Sequence, residues 1–144
     1  MSLFAQITFG TVLLGASAII HVLVLFAVLP LLRRIAKLPI FKRDLPRIVG
    51  LVSMMLAAIL ASHGLQIWLW AAIWLGFGAF SELPTALYFS AVTYTTLGYG
   101  DIVLDPDIRL FATFSAVCGL LGFGISTAFL VGLVSRLLPD YFEE

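Results

Sequence analysis

The chain has 144 residues, 62% of them hydrophobic and 11% charged, a mean hydropathy of +1.13 and a net charge of zero. A soluble domain carries about a quarter charged residues, so a soluble enzyme is excluded and an integral membrane protein is expected. The zero balance gives no reason to expect a nucleic-acid partner. No nucleophile or metal-ligand constellation stands out, so neither an enzyme nor a bound cofactor is expected.

Three stretches lack Asp, Glu, Lys and Arg for long enough to cross a bilayer: Met1–Leu32, Ile48–Ser81 and Leu110–Ser135. A spanning helix needs about 20 such residues. The first is longer than an upright span requires, and either tilts or begins near Thr8 to Val12. No Lys or Arg precedes Arg33, so the start lacks the basic region of a cleaved signal peptide. Six of the eight basic residues, Arg33, Arg34, Lys37, Lys42, Arg43 and Arg47, fall in one short linker, 33–47. Short Lys/Arg-rich loops stay in the cytoplasm, which places the N-terminus outside and the C-terminus inside. The same residues are candidate contacts for anionic lipid headgroups. Pro39 and Pro46 argue against one helix running through the linker.

The second span is expected to start near Arg47 and to reach the outer interface near Trp68, with Trp68, Trp70 and Trp74 forming an aromatic belt. Ser81 is the expected N-cap of a short helix, Leu83–Tyr94, with Glu82 and Pro84 in its first turn. At about 18 Å that helix covers roughly half the hydrocarbon core and must be re-entrant. The third span carries Gly119, Gly122 and Gly124, read as either a hinge or close helix packing. Cys118 reads as a small buried apolar residue. His21 and His63, inside apolar segments, read as neutral rings bonded to a neighbouring helix, with a pH sensor as the sharper alternative. Ser126 and Thr127 either line a cavity or bond back to their own helix.

Between the short helix and the third span lies Thr95-Thr96-Leu97-Gly98-Tyr99-Gly100-Asp101. This heptapeptide resembles the pore loop of potassium channels, whose backbone carbonyls replace the hydration shell of the ion. The resemblance extends from Leu83 to Leu138. It implies an all-α membrane protein: three transmembrane helices, a re-entrant pore helix and an extended filter, assembled as a homotetramer. It divides the chain into a peripheral helix (1–32), a basic cytoplasmic linker (33–47), a pore domain (48–138) and a short cytoplasmic tail (139–144). Within the pore domain the pore helix and filter occupy 83–101 and the inner helix 108–138.

The same resemblance implies that Thr96, Leu97, Gly98, Tyr99 and Gly100 form the ion path. K+ would be held by the carbonyls of Thr96, Leu97, Gly98 and Tyr99. Thr95, Asp101, Tyr88, Val92 and Thr93 would support the filter. Leu97 replaces the usual valine or isoleucine, and Tyr88 and Phe89 replace paired tryptophans. Phe89 cannot donate a hydrogen bond, whereas Tyr88 can reach Asp101. Glu82, Asp101, Asp105 and Asp107 would concentrate cations outside.

The implied function is passive potassium-selective conduction in a prokaryotic plasma membrane. The alternatives are a weakly selective monovalent cation channel, or a non-conducting or transporter-associated subunit. No span carries arginines at every third position, so steep voltage sensing is not expected. With eight residues after Arg136, no cytosolic ligand-binding domain is expected on this chain.

Overall fold

The computed structural model describes residues 1–37 and 44–137. Among them the chain is entirely helical: α1 (Leu3–Ile35), α2 (Asp44–Gly76), α3 (Leu83–Tyr94) and α4 (Arg109–Leu137). The three long helices are each apolar enough and long enough to cross a membrane. At 33 residues, α1 and α2 each extend for about 50 Å. Both reach into the segment expected to be linker: Arg33 and Arg34 lie in the last turn of α1, and Arg47 lies in the first turn of α2. Pro46 falls in that first turn, where a missing N–H costs nothing. Lys42, Arg43 and the expected tail, 139–144, lie outside the described residues.

Contacts between the helices fix their directions. Gln6 meets Phe111, and His21 meets Ser126, so α1 and α4 run parallel. Ser17 meets Gln66 and His21 meets Ser62, so α2 runs opposite to both. The helix α1 is bound to α4 along most of its length. At one end the Gln6 side chain accepts a hydrogen bond from the Phe111 N–H at 3.2 Å. That N–H is one of the orphan donors of the first turn of α4, so a side chain of α1 caps α4.

Packing is layered. One apolar cluster, at the end that carries α3, joins Trp70, Trp74, Phe89, Tyr94, Leu104, Phe111, Ala112 and Cys118. A second joins Leu25, Leu32, Leu51, Met55 and Ile59. Between them, at mid-bundle, sit the buried polar side chains of His21, Ser62, His63 and Ser126. In hydrocarbon a polar group has no water to fall back on, so it turns inward and finds a protein partner.

Two expectations are corrected. Trp70 and Trp74 are fully buried, while Trp68 is 55% exposed. Spacing of four puts Trp70 and Trp74 on one face. There they stack at 5.5 Å, and Trp74 meets Phe89 and Phe111 edge-on at 5.6 and 5.3 Å. Of the three, only Trp68 is placed to serve as a belt residue. The cap of α3 is Glu82, not Ser81, and no side chain bonds to it. The first helical bond runs from the Ala86 N–H to the Glu82 carbonyl at 3.1 Å, so the helix begins one residue later than a cap at Ser81 would place it.

Close approach explains two of the four glycines in α4. A Cβ on Gly119 would collide with the carbonyl of Tyr94, the last residue of α3. A Cβ on Gly122 would lie 3.0 Å from the Tyr94 hydroxyl and 3.3 Å from the His63 ring. With Ser115 and Ser126, these glycines form a small-residue face that lets α3 and α2 approach α4. Nothing lies within 4 Å of the Cβ position of Gly124.

Gly119→Ala should therefore destabilise the protein by about 1–3 kcal/mol or more through overpacking. Gly15→Ala, where a Cβ meets nothing, should be neutral or stabilising by up to about 1 kcal/mol. Thermal unfolding of the two variants beside the parent protein measures the contrast.

Candidate functional site: a helix end and the strand that returns from it

Thr95 is the C-cap of α3 and still bonds as a helical residue. Its N–H donates to the Ala91 carbonyl at 3.0 Å, and its hydroxyl donates to the same oxygen at 2.7 Å. The Thr96 N–H then reaches the Thr93 carbonyl at 3.0 Å. Next, the N–H groups of Leu97 and Gly98 both donate to the Val92 carbonyl, at 3.0 and 3.2 Å. The orphan carbonyls of the last turn are thus met by the segment that follows.

That double bond to Val92 orients the backbone. In an ordinary strand successive peptide planes point to opposite sides. Here two successive N–H groups point at one oxygen, as they do in a backbone nest. Among the described residues all peptide bonds are trans, so each carbonyl opposes the N–H of its own plane. The carbonyls sharing those planes belong to Thr96 and Leu97, and both face away from the helix. The backbone angles carry the same pattern further. Thr96, Gly98 and Gly100 have φ of +60°, +56° and +78°, while Leu97 and Tyr99 between them do not enter the positive range.

Glycine adopts positive φ without penalty, which accounts for Gly98 and Gly100. Thr96 does not have that freedom. A β-branched residue in the left-handed region is a strained outlier, and such strain of about 1–3 kcal/mol collects where function demands a geometry.

The segment climbs back beside α3. Asp101 meets Tyr88 in the middle of that helix, and the Tyr88 hydroxyl donates to its Oδ2 at 2.6 Å. Phe89, on the adjacent position, packs against Trp74 and Phe80 and bonds to nothing. Val92 supports the strand through its carbonyl, and Thr93 does so through its own bond to Thr96. Glu82, Asp101, Asp105 and Asp107 are all exposed around this end.

Residues Thr95 to Asp101 are exposed in the single chain. Leu97 and Tyr99 are exposed by 55% and 67%, although both carry large apolar surfaces. A cavity of about 460 Å³ beside them is walled by Val92, Thr93, Thr96 and Gly98 on one side and by Ala112 and Ala116 on the other. Among the described residues no group of His, Cys, Asp and Glu side chains is arranged to hold a metal ion. The oxygens this segment turns away from the helix include the main-chain carbonyls of Thr96 and Leu97.

Residues 54–136, more than half of the chain, match the family model described as "Ion channel". The chain belongs to the ion channel family. The family match covers most of α2, all of α3 and the strand after it, and α4 through Arg136. A protein of Rhodopseudomonas palustris named "Putative potassium channel protein" is 33% identical over 66 residues, which make up 45% of this chain and 15% of that relative. The chain thus spans a small part of the relative's length. No solved structure matches it significantly.

Sequence reasoning placed the heptapeptide between its flanking elements but missed several residues that hold this region together. Tyr94, Ser62 and Gln6 were not singled out. The available signal was spacing: Gln6, Gly10, Ser17 and His21 recur on one face of an otherwise apolar helix, and all are buried.

The bond from Tyr88 holds the Asp101 carboxyl below the usual carboxylate range. A depressed value means that the bond contributes stability above the unfolded pKa of about 3.9 and loses it as pH falls through the folded value. Tyr88→Phe should raise the Asp101 midpoint toward that ordinary figure, which carboxyl-carbon NMR titration will read.

Proposed function

We propose that this ion channel is a homotetramer that conducts K+ selectively and passively through a ring of backbone carbonyls, those of Thr96, Leu97, Gly98 and Tyr99 from each chain. The observation that carries the reading is the pair of N–H groups turned onto Val92, which leaves the Thr96 and Leu97 carbonyls directed away from the helix. One strand offers one column of oxygens. Replacing the hydration shell of a cation takes several columns around an axis, and cyclic assembly of identical chains supplies them. The exposed Leu97 and Tyr99 side chains support this, since a neighbouring copy would cover them.

In the assembled pore, K+ is the permeant cargo. Carbonyl oxygens at fixed spacing exchange for water, and repulsion between successive ions speeds exit. The C-terminal end of α3 lends partial negative charge near the membrane centre. The exposed acids at the mouth raise local cation concentration. The helix α4 lines the path below the filter, and no covalent step occurs.

The outside position of the filter, an N-terminus on the same side and a prokaryotic plasma membrane complete the reading. In support of the orientation, Arg33, Arg47 and Arg136 line one cavity of about 190 Å³ at the end of the bundle opposite α3. Anionic headgroups at that end would meet three guanidinium groups, a contribution of about 1 kcal/mol for each residue.

A weakly selective cation channel is the second reading. It is favoured by one observation: Phe89 gives the strand no hydrogen bond, so within its own chain the described bracing at the outer end is the Tyr88–Asp101 bond.

Purified protein in proteoliposomes should pass K+ far faster than Na+. Gly98→Ala forces a side chain onto φ +56°, a cost of about 1–2 kcal/mol in every subunit, and should cut flux by roughly tenfold or more. Equal flux from both proteins would refute the filter. Comparable K+ and Na+ flux in the parent would select the second reading.

A further inference from the structure

Five side chains from four helices form one unbranched chain of hydrogen bonds through the middle of the bundle. The Ser62 hydroxyl meets His21 Nδ1 at 2.8 Å, and His21 Nε2 meets the Ser126 hydroxyl at 2.9 Å. Ser126 meets His63 Nε2 at 3.2 Å, and His63 Nδ1 meets the Tyr94 hydroxyl at 2.9 Å. All five residues are buried. The layer contains no charged carboxylate, lysine or arginine. Phe123 closes it on one side, with its ring 4.5 Å from that of His63.

The chain ends on the last residue of α3, directly before the filter segment. Tyr94 closes α3 and directly precedes Thr95. Its carbonyl rests against Gly119 and its hydroxyl lies beside Gly122. The helix end is therefore held at two points: by contact with α4 at its backbone and by the hydrogen bond to His63 at its side chain. Through Ser126 and His21, the second hold reaches α1, which lies outside the segment matched by the family model.

We propose that the Ser62–His21–Ser126–His63–Tyr94 chain is a positioning device that sets the depth and rotation of the α3 terminus, and so the carbonyl geometry and ion selectivity of the filter. The proposal rests on the pore reading above. It makes α1 part of the selectivity apparatus.

Proton counting gives the device a signature. With both imidazoles neutral, each of the five groups carries one exchangeable hydrogen. Two orderings run in a single direction from end to end and satisfy all four bonds; a third, in which Ser126 accepts from both rings, satisfies them as well. In one end-to-end ordering, Ser62 donates to His21 and the direction runs on to Tyr94, with His21 protonated on Nε2 and His63 on Nδ1. In the other, Tyr94 donates to His63 and every bond reverses, so both rings exchange tautomer. Passage between the two end-to-end orderings changes the tautomer of both rings, so it links Tyr94 to His21, two helices away. Coupling of this kind, through a shared network, makes substitutions non-additive.

The protein contains two histidines, and both are in the chain. Imidazole nitrogen NMR of the reconstituted wild-type protein therefore reads the device without substitution. Exchange of K+ for Na+ should change the nitrogen shifts of both rings together. Tyr94→Phe removes one hydroxyl and keeps the ring. It should lower the K+/Na+ permeability ratio by about threefold or more, His21→Gln should act in the same direction, and the double variant should do no more than the stronger single one. If the wild type passes K+ selectively while both imidazoles are silent to ion exchange, the proposal is overturned whether or not the variants assemble. Assembled variants that keep the parent's ratio overturn it as well. Absence of selective flux in the wild type overturns the pore reading together with it.

Discussion

The convergence of two backbone N–H groups on the Val92 carbonyl is the interaction from which the site follows. A chain leaving a helix inside a membrane must satisfy its polar groups within the protein, and the turn after α3 does so by folding its own N–H groups back onto the helix end. Each N–H taken inward sends the carbonyl of its peptide plane outward. The polar demand of the helix terminus and the oxygen supply of the strand are thus two sides of the same bonds. Positive φ at Thr96, Gly98 and Gly100 is what the backbone needs to sustain that arrangement over successive residues.

The three spans and the half-length helix were legible because length, absence of charge and Pro84 speak for themselves one segment at a time. The heptapeptide was legible because glycine at alternate positions announces unusual dihedrals. What could not be read was which face of each helix turns inward. Three tryptophans near a span end look like a belt, yet Trp70 and Trp74 form the wall behind α3 because spacing of four aligns them with Phe89 and Phe111. The cap falls at Glu82, one residue past Ser81, because the first helical bond closes onto the Glu82 carbonyl, a choice of register that residue type alone does not encode. Partners distant in sequence, such as Gln6 with Phe111, left no local mark at all.

Hydropathy also conceals the inner architecture of such a bundle. In water, polar residues mark the outside of a helix, whereas in lipid they mark the inside. Gln6, Ser17 and His21 on α1, and Ser62, His63 and Gln66 on α2, are therefore the residues that draw the helices together. The result is a polar layer sandwiched between two apolar clusters, with directional bonds fixing register where apolar packing alone would allow sliding. The first helix takes part in that layer and caps α4 as well, so it is tied into the bundle at two separate heights.

The bare Cα of Gly119 beneath the Tyr94 carbonyl has a mechanical consequence. Turning α4 about its axis would carry the side chain of Cys118 or Leu120 into the space that Gly119 leaves empty, and the end of α3 would be pushed along with it. Rotation of α4 and displacement of the segment that follows α3 are therefore geared together at one point of contact.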